Sequence, residues 1–312
     1  MTYSARPLRA GIDLGGTGTR LILLDGLREV AGMTIPTATF TTFPVHRRSD
    51  ELVNRLIALC PSDTTLISLG IGASGPVNNN TGIIENNDTL ACFSFFPLMK
   101  EMQKRLNVPV AIDNDAIAAA LGEYHAGAGI ESKRMLMVTL GTGIGVALLE
   151  NGQPYRTADN RHPEAGHIPI STSGTPCYCG INGCWEAEAS RTWLQETLCQ
   201  RIPGLDWPHL TLDYLGKKCA DDPLVAAVLH NYGERVGRGL STLLTLYGPD
   251  LVVLGGSAAK LLPLFRSGIN SSLERANGYR LSANIVSSSL GDVAGALGAA
   301  LLPIISTPVK TS

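Results

Sequence analysis

A chain of 312 residues with 44% hydrophobic and 17% charged side chains has room for one large domain or two moderate ones, with an ample core. Its formal net charge of −2 gives no electrostatic case for nucleic acid, and no run approaches the roughly 18 apolar residues that a membrane span needs. The opening residues M-T-Y-S-A-R-P-L-R-A lack an apolar signal core, so the expectation is a soluble, cytoplasmic protein.

Arg9 to Asp25 (R-A-G-I-D-L-G-G-T-G-T-R-L-I-L-L-D) sets apolar residues on both sides of a glycine core, without a helical period. The expectation is strand, tight turn, strand. A dinucleotide fingerprint needs a helix after its glycines, and Arg20-Leu-Ile-Leu-Leu does not read as one. Gly15, Gly16 and Gly18 let the backbone turn sharply and bring N–H groups close to an anion. Thr17 and Thr19 add hydroxyl donors, and Asp13 is placed to hold a magnesium-bound water. A plain glycine hairpin is the bland alternative.

Ser49 to Cys60 reads as an amphipathic helix with Leu52, Leu56 and Leu59 on one face. Leu66 to Ile71 reads as a buried strand running into the turn-rich stretch Gly72 to Asn78, which carries Ser74 and Gly75. Asn86, Asn87 and Asp88 form a polar cluster too dense for a core. Pro97 opens a helix through Leu106. Val108 to Ile112 reads as a strand, followed by Asp113-Asn114-Asp115 and a helix-forming run from Ala116 to His125. Asp115 is therefore expected at a helix N-terminus and at the C-terminal end of a strand, the edge where open α/β sheets bind ligands. A lone Asp there is commonly only a cap; three polar residues in a row keep a working site open.

Arg134 to Glu150 repeats the first pattern, with Gly141, Thr142, Gly143 and Gly145 at the turn. Two such hairpins imply two similar lobes facing one polyphosphate. Next, Glu164 to His167 (E-A-G-H) and Cys177 to Glu186 (C-Y-C-G-I-N-G-C-W-E) place His167, Cys177, Cys179 and Cys184 in order. Three thiolates and one imidazole are a tetrahedral zinc set, and four protein ligands close the shell, so the expected zinc is structural. Seven cysteines, an odd number, without a secretory leader argue against a disulfide loop. Inert buried thiols are the other plain reading. Glu164 and Glu186 flank the ligands, as acids would in a clamp that holds a polar site in shape. Arg201 to Asp222 carries little pattern, Pro223 to Tyr247 reads as a long helix, and Leu251 to Ser257 is a third glycine turn with Gly255 and Gly256. Gly291 to Leu302 reads as a final helix of small residues.

The order of Asp13-Leu-Gly-Gly-Thr17, Asn114-Asp115, Leu140-Gly-Thr-Gly143, Glu164-x-Gly-His167, Cys177-x-Cys-Gly-x-x-Gly-Cys184-x-Glu186 and Leu254-Gly-Gly256 resembles the ROK family (repressors, open reading frames, kinases). The resemblance runs from about residue 9 to residue 300. It implies an α/β chain with the two-lobed, actin-like ATPase (ribonuclease H-like) fold, a structural zinc site, and an active site in the cleft between lobes. The expected lobes are 1–116 and 117–312, with the last helix, about 291–303, packing back on the first. It further implies a hexose or N-acetylhexosamine kinase acting at C6 with ATP and Mg²⁺, Asp115 being the general base. Ser74, Gly75, Asn87, Asn114, Glu164, His167 and Glu186 would hold the sugar. Asp13, Gly15, Gly16, Thr17, Thr19, Gly141, Thr142, Gly143, Gly255 and Gly256 would hold ATP, and His167, Cys177, Cys179 and Cys184 the zinc. The expected partner is a small-molecule sugar, with no nucleic acid or membrane; many relatives form homodimers.

Four positions depart from the family pattern: Ile117 for a second asparagine, Pro163 for the glycine before Glu164, Ser257 for a third glycine, and Ser74 for a proline. None removes a catalytic group, and they leave the sugar open among glucose, fructose, mannose, allose, N-acetylglucosamine and N-acetylmannosamine. A sugar-responsive repressor of the same family is the competing reading. It would carry a winged-helix region before the first glycine turn, for which Gly15 leaves no room. A non-catalytic sugar sensor is the third.

Overall fold

The computed structural model describes residues 5–86, 88, 90–202, 204, 207–276 and 283–305. The expected strand–turn–strand is present as β1 (Arg6–Leu14) and β2 (Gly18–Asp25), antiparallel with Leu14 opposite Thr19. The chain goes on through β3 (Arg28–Pro36), α1 (Val45–Leu59) and β4 (Thr64–Ala73) to a short hairpin, β5 (Val77–Asn78) and β6 (Ile83–Ile84). Then follow α2 (Leu98–Leu106), β7 (Val110–Asn114) and α3 (Asp115–Ala126). The first sheet has the order β3-β2-β1-β4-β7, with β4 parallel to both β1 and β7.

The rest of the chain repeats that plan. It comprises β8 (Arg134–Leu140), β9 (Ile144–Glu150), β10 (Gln153–Pro154), β11 (Leu251–Gly255) and β12 (Asn284–Ser287). The second sheet has the order β10-β9-β8-β11-β12, with β11 parallel to β8 and β12. Between β10 and β11 lie α4 (Trp185–Ala189), α5 (Arg191–Arg201), α6 (Leu212–Asp221) and α7 (Pro223–Tyr247); α8 (Leu262–Arg275) follows β11 and α9 (Ala294–Ile305) closes the described chain. The long helix has its sequence signals in place: Asp222 caps the Leu224 N–H at 2.9 Å, Pro223 sits at the first turn, and Gly248 ends it in the left-handed region at φ 52°.

Two compact units emerge. The first comprises residues 1–131, 147–163 and 289–312, and the second comprises 132–146 and 164–288. The expected division after residue 116 falls inside α3, whose buried Ala116 to Glu123 make it one uninterrupted helix of the first unit. In that unit α9 packs on α3, β1 and β4. The approach is close enough that a Cβ on Gly70 would stand 1.6 Å from the Ala299 carbonyl oxygen, and one on Gly298 1.8 Å from that of Ala118. Only glycine fits there, which is why α9 reads as a run of small residues. The other face of the sheet buries Leu8, Ile12, Leu52, Leu56, Leu69, Ile71, Phe40 and Phe93 in one cluster. No helix among the described residues is long and apolar enough to cross a membrane.

Candidate active site

In the first unit, three parallel strands end in register, with Leu14 opposite Ala73 and Ala73 opposite Asn114. That register brings Asp13, Ser74 and Asp115 to one sheet edge. Ser74 Oγ donates to Asp115 Oδ2 at 2.9 Å. Asp13 is raised from 3.8 to about 7 by burial first and by the Asp115 charge second, with Arg20 opposing. Two carboxylates that repel in a desolvated place favour a cation beside them, so the acid pair fits the magnesium that the resemblance implies. The cap of α3 is Asn114 rather than Asp115: its Oδ1 accepts from the Ala116 N–H at 2.8 Å. Asp115 is thereby relieved of the plain capping role, and Asn114 Oδ1 is committed to the helix.

The first glycine turn, residues 15–17, is closed by the Gly15 N–H on the Gly18 carbonyl at 3.1 Å. Thr19 corrects an expectation. It is fully buried, its hydroxyl lies 2.9 Å from that of Thr37, and Thr37 Oγ1 donates to the Gly15 carbonyl at 2.6 Å. The Thr19 hydroxyl is turned inward, one residue inside β2, and braces the turn through Thr37. Thr37 had no signal of its own in the sequence. Gly75 accepts from the Asn86 side chain through its carbonyl, and Asn87 lies outside the described residues.

A buried ion pair behind Asp115 also escaped the sequence reading. Arg156 grips both oxygens of Asp113, and Asp113 Oδ1 accepts from the Asn114 N–H at 2.8 Å. His162 is buried nearby and its pKa falls to about 4, burial outweighing the Asp113 charge. Nothing at Arg156 or His162 marks them as partners of a residue some forty positions earlier.

In the second unit, the glycine turn 141–143 is closed one residue tighter, by the Gly141 N–H on the Gly143 carbonyl at 3.0 Å. Its supports are charged. Glu186 Oε2 accepts from the Ile144 N–H at 2.8 Å, Arg191 Nη2 donates to Thr142 Oγ1 at 3.1 Å, and the Arg191 N–H donates to the Gly141 carbonyl at 2.9 Å. A Cβ on Gly143 would fall 2.2 Å from Glu186 Oε2, so the turn and the acid are mutually fitted. Gly256 holds φ 77°, and a Cβ there would meet the Leu140 backbone at 2.6 Å. The third turn therefore lies directly over the end of β8, with Gly255 still in β11.

The same unit assembles the expected metal ligands. The donor atoms of His167, Cys177, Cys179 and Cys184 all lie within 4.8 Å of one another. His167 Nδ1 is 3.6 Å from Cys177 Sγ and 3.7 Å from Cys184 Sγ. A tetrahedral zinc with ordinary Zn–S and Zn–N bonds separates such donors by about 3.6 Å, so the set fits. Burial first, then the adjacent Cys177 and Cys179 thiols, push Cys184 up to about 12 against one Ala187 N–H. Crowded thiols of that kind ionise readily only beside a cation. Glu164 stands at the head of the short 3-10 turn Ala165–His167, its carbonyl accepting from the His167 N–H at 3.1 Å. The other imidazole nitrogen, Nε2, lies 3.1 Å from the Tyr178 hydroxyl, a neighbour that the sequence did not announce.

Comparison with known proteins agrees with this construction. A model of the ROK family matches residues 9–304. The chain is 32% identical over 269 residues to a glucokinase of Halalkalibacterium halodurans, covering 80% of each chain. It is 30% identical over 255 residues to the xylose repressor of Bacillus subtilis, covering 80% of this chain and 64% of the repressor. Among solved structures, a ROK family glucokinase from Streptomyces griseus in complex with glucose and AMPPNP aligns with a TM-score of 0.77 and 26% identity, over 94% of this chain and 98% of that one.

Proposed function

Because the chain belongs to the ROK family, we propose that it is an ATP-dependent sugar kinase that phosphorylates a hexose or N-acetylhexosamine at the C6 hydroxyl. The observation that carries the reading is the acid edge of the first unit, where Ser74 holds Asp115 by its Oδ2 beside Asp13. A sugar hydroxyl ionises far above neutral pH, so the carboxylate of Asp115 orients it and takes its proton late in phosphoryl transfer. The Ser74 hydrogen bond fixes which way that carboxylate faces. Asp13 would hold Mg²⁺, which would supply charge neutralisation at the phosphates of ATP. The glycine turns at Gly15, Gly16 and Thr17, at Gly141, Thr142 and Gly143, and at Gly255 and Gly256 offer backbone N–H groups to those phosphates.

Asn114, Glu164, His167 and Glu186 take the other sugar hydroxyls. With Nδ1 directed at the thiols, His167 carries its proton on Nε2 and presents a donor. Glu186, tied by one oxygen to Ile144, presents an acceptor. The zinc is structural: it fixes the imidazole tautomer and the spacing of the acids. A sugar-sensing regulator is the second reading, favoured by the similarity to the xylose repressor. The two separate on Asp115→Asn. A kinase loses on the order of 10²–10⁴-fold in turnover while sugar binding persists. Full turnover in that variant overturns the base assignment.

A further inference from the structure

Tyr178 lies between two of the candidate metal-ligating cysteines and is 74% exposed, with its hydroxyl against His167. The ring meets the His167 imidazole edge-on, with centroids 5.1 Å apart and an interplanar angle of 83°. Its Oη is 3.1 Å from His167 Nε2, with the Glu186 carboxylate close by. Since Nδ1 faces the thiols, Nε2 is left to donate to Tyr178 Oη, which leaves the phenol's own proton available to an acceptor such as the nearby Glu186 carboxylate. One hydroxyl can therefore accept from the imidazole and donate to the acid. A sugar hydroxyl held by the same two groups would make the same pair of bonds.

We propose that the Tyr178 hydroxyl is a built-in competitor for a sugar hydroxyl at His167 and Glu186, and must swing away before the sugar binds. The inference rests on the sugar-binding roles assigned to those two residues above. An exposed ring on a single-residue step of a loop moves by side-chain rotation, so the exchange requires no unfolding of the metal cluster. The device sets affinity and selectivity together: a sugar binds only when its hydroxyl replaces both bonds of the phenol. One that supplies just one of them replaces only part of what the phenol gave up, which costs affinity.

The test is Tyr178→Phe in the zinc-containing protein, with sugar binding measured by calorimetry over glucose, fructose, mannose and the two N-acetylhexosamines. Phe keeps the ring contact with His167 and removes only the hydroxyl. The expected result is sugar binding roughly 3- to 30-fold tighter, the range that losing one or two competing hydrogen bonds gives. Ultraviolet difference spectra give a second readout: wild type is expected to show a tyrosine signal as the phenol loses its hydrogen bond to the imidazole on sugar addition, and the Phe variant is not. Equal or weaker affinity in the variant, or identical difference spectra in the two proteins, overturns the proposal. So does the absence of sugar binding by either form. A wild type that binds sugar but forms no ADP contradicts the kinase reading alone, because the affinity ratio still measures the competition.

Discussion

The two glycine turns share a length and a place between antiparallel strands, and differ in what supports them. Each is three residues long between a strand ending in leucine and its antiparallel neighbour, and each is closed by one N–H···O bond of 3.0 or 3.1 Å. The first rests on neutral hydroxyls, Thr19 to Thr37 to the Gly15 carbonyl. The second rests on Glu186 and Arg191, and Glu186 follows Cys184 by two residues. The same strand–turn–strand plan thus stands on different supports in the two units. In the second unit, Glu186 ties the glycine turn to the helix that follows the cysteine–histidine cluster.

The sharpest way to break that comparison is Cys184→Ser. It should empty the metal site and raise the sugar KM by roughly 10–100-fold, the range seen when groups that orient metal-site residues are lost. Circular dichroism should change little, because the core cluster of the first unit and the α7–α8 pair of the second do not depend on the thiols. Metal content by atomic emission and steady-state kinetics decide the matter. A metal-free variant with wild-type sugar KM would leave the zinc as a remote brace.

A smaller effect sharpens the other half. Asp13 keeps its proton to about pH 7 in the folded chain, whereas an ordinary aspartate loses it near 3.8. The folded state therefore binds more protons than the unfolded state between those values, and stability is lost as pH rises through 7. Asp13→Asn removes that loss. Without magnesium or nucleotide, the variant should melt above wild type at pH 8, with a gain of at most the roughly 4 kcal/mol that a rise from 3.8 to about 7 represents. The gap should shrink toward pH 5. A gap independent of pH would mean that the acid pair is not what destabilises this edge.

What the sequence disclosed follows from where its signals are local. The glycine turns, the bounds of α7 and the ligand spacing all depend on residues within one element or one loop. Less local features did not show. β3 buries only Ile35 among its nine residues, so no alternation marked it, and α5 buries only Leu194 and Leu198. β7 lies two residues later than expected, at Val110–Asn114, because its partner β4 continues to Ala73 and pairs with Asn114. The polar Asp113 and Asn114 belong to the strand and not to a loop. Thr19 looked like a donor because it follows glycine, yet strand alternation turns it inward. Arg156, Thr37 and Tyr178 act on residues that meet them only through the fold.

The measurement closest to the central claim is sugar-dependent ADP formation by the purified chain, followed by a coupled assay over a panel of hexoses and N-acetylhexosamines with and without Mg²⁺. The account predicts that at least one of these sugars drives Mg²⁺-dependent ADP release, with the phosphate found on C6 of the product by NMR. Sugar binding without ADP release from any member of the panel would contradict it and make the chain a sensor.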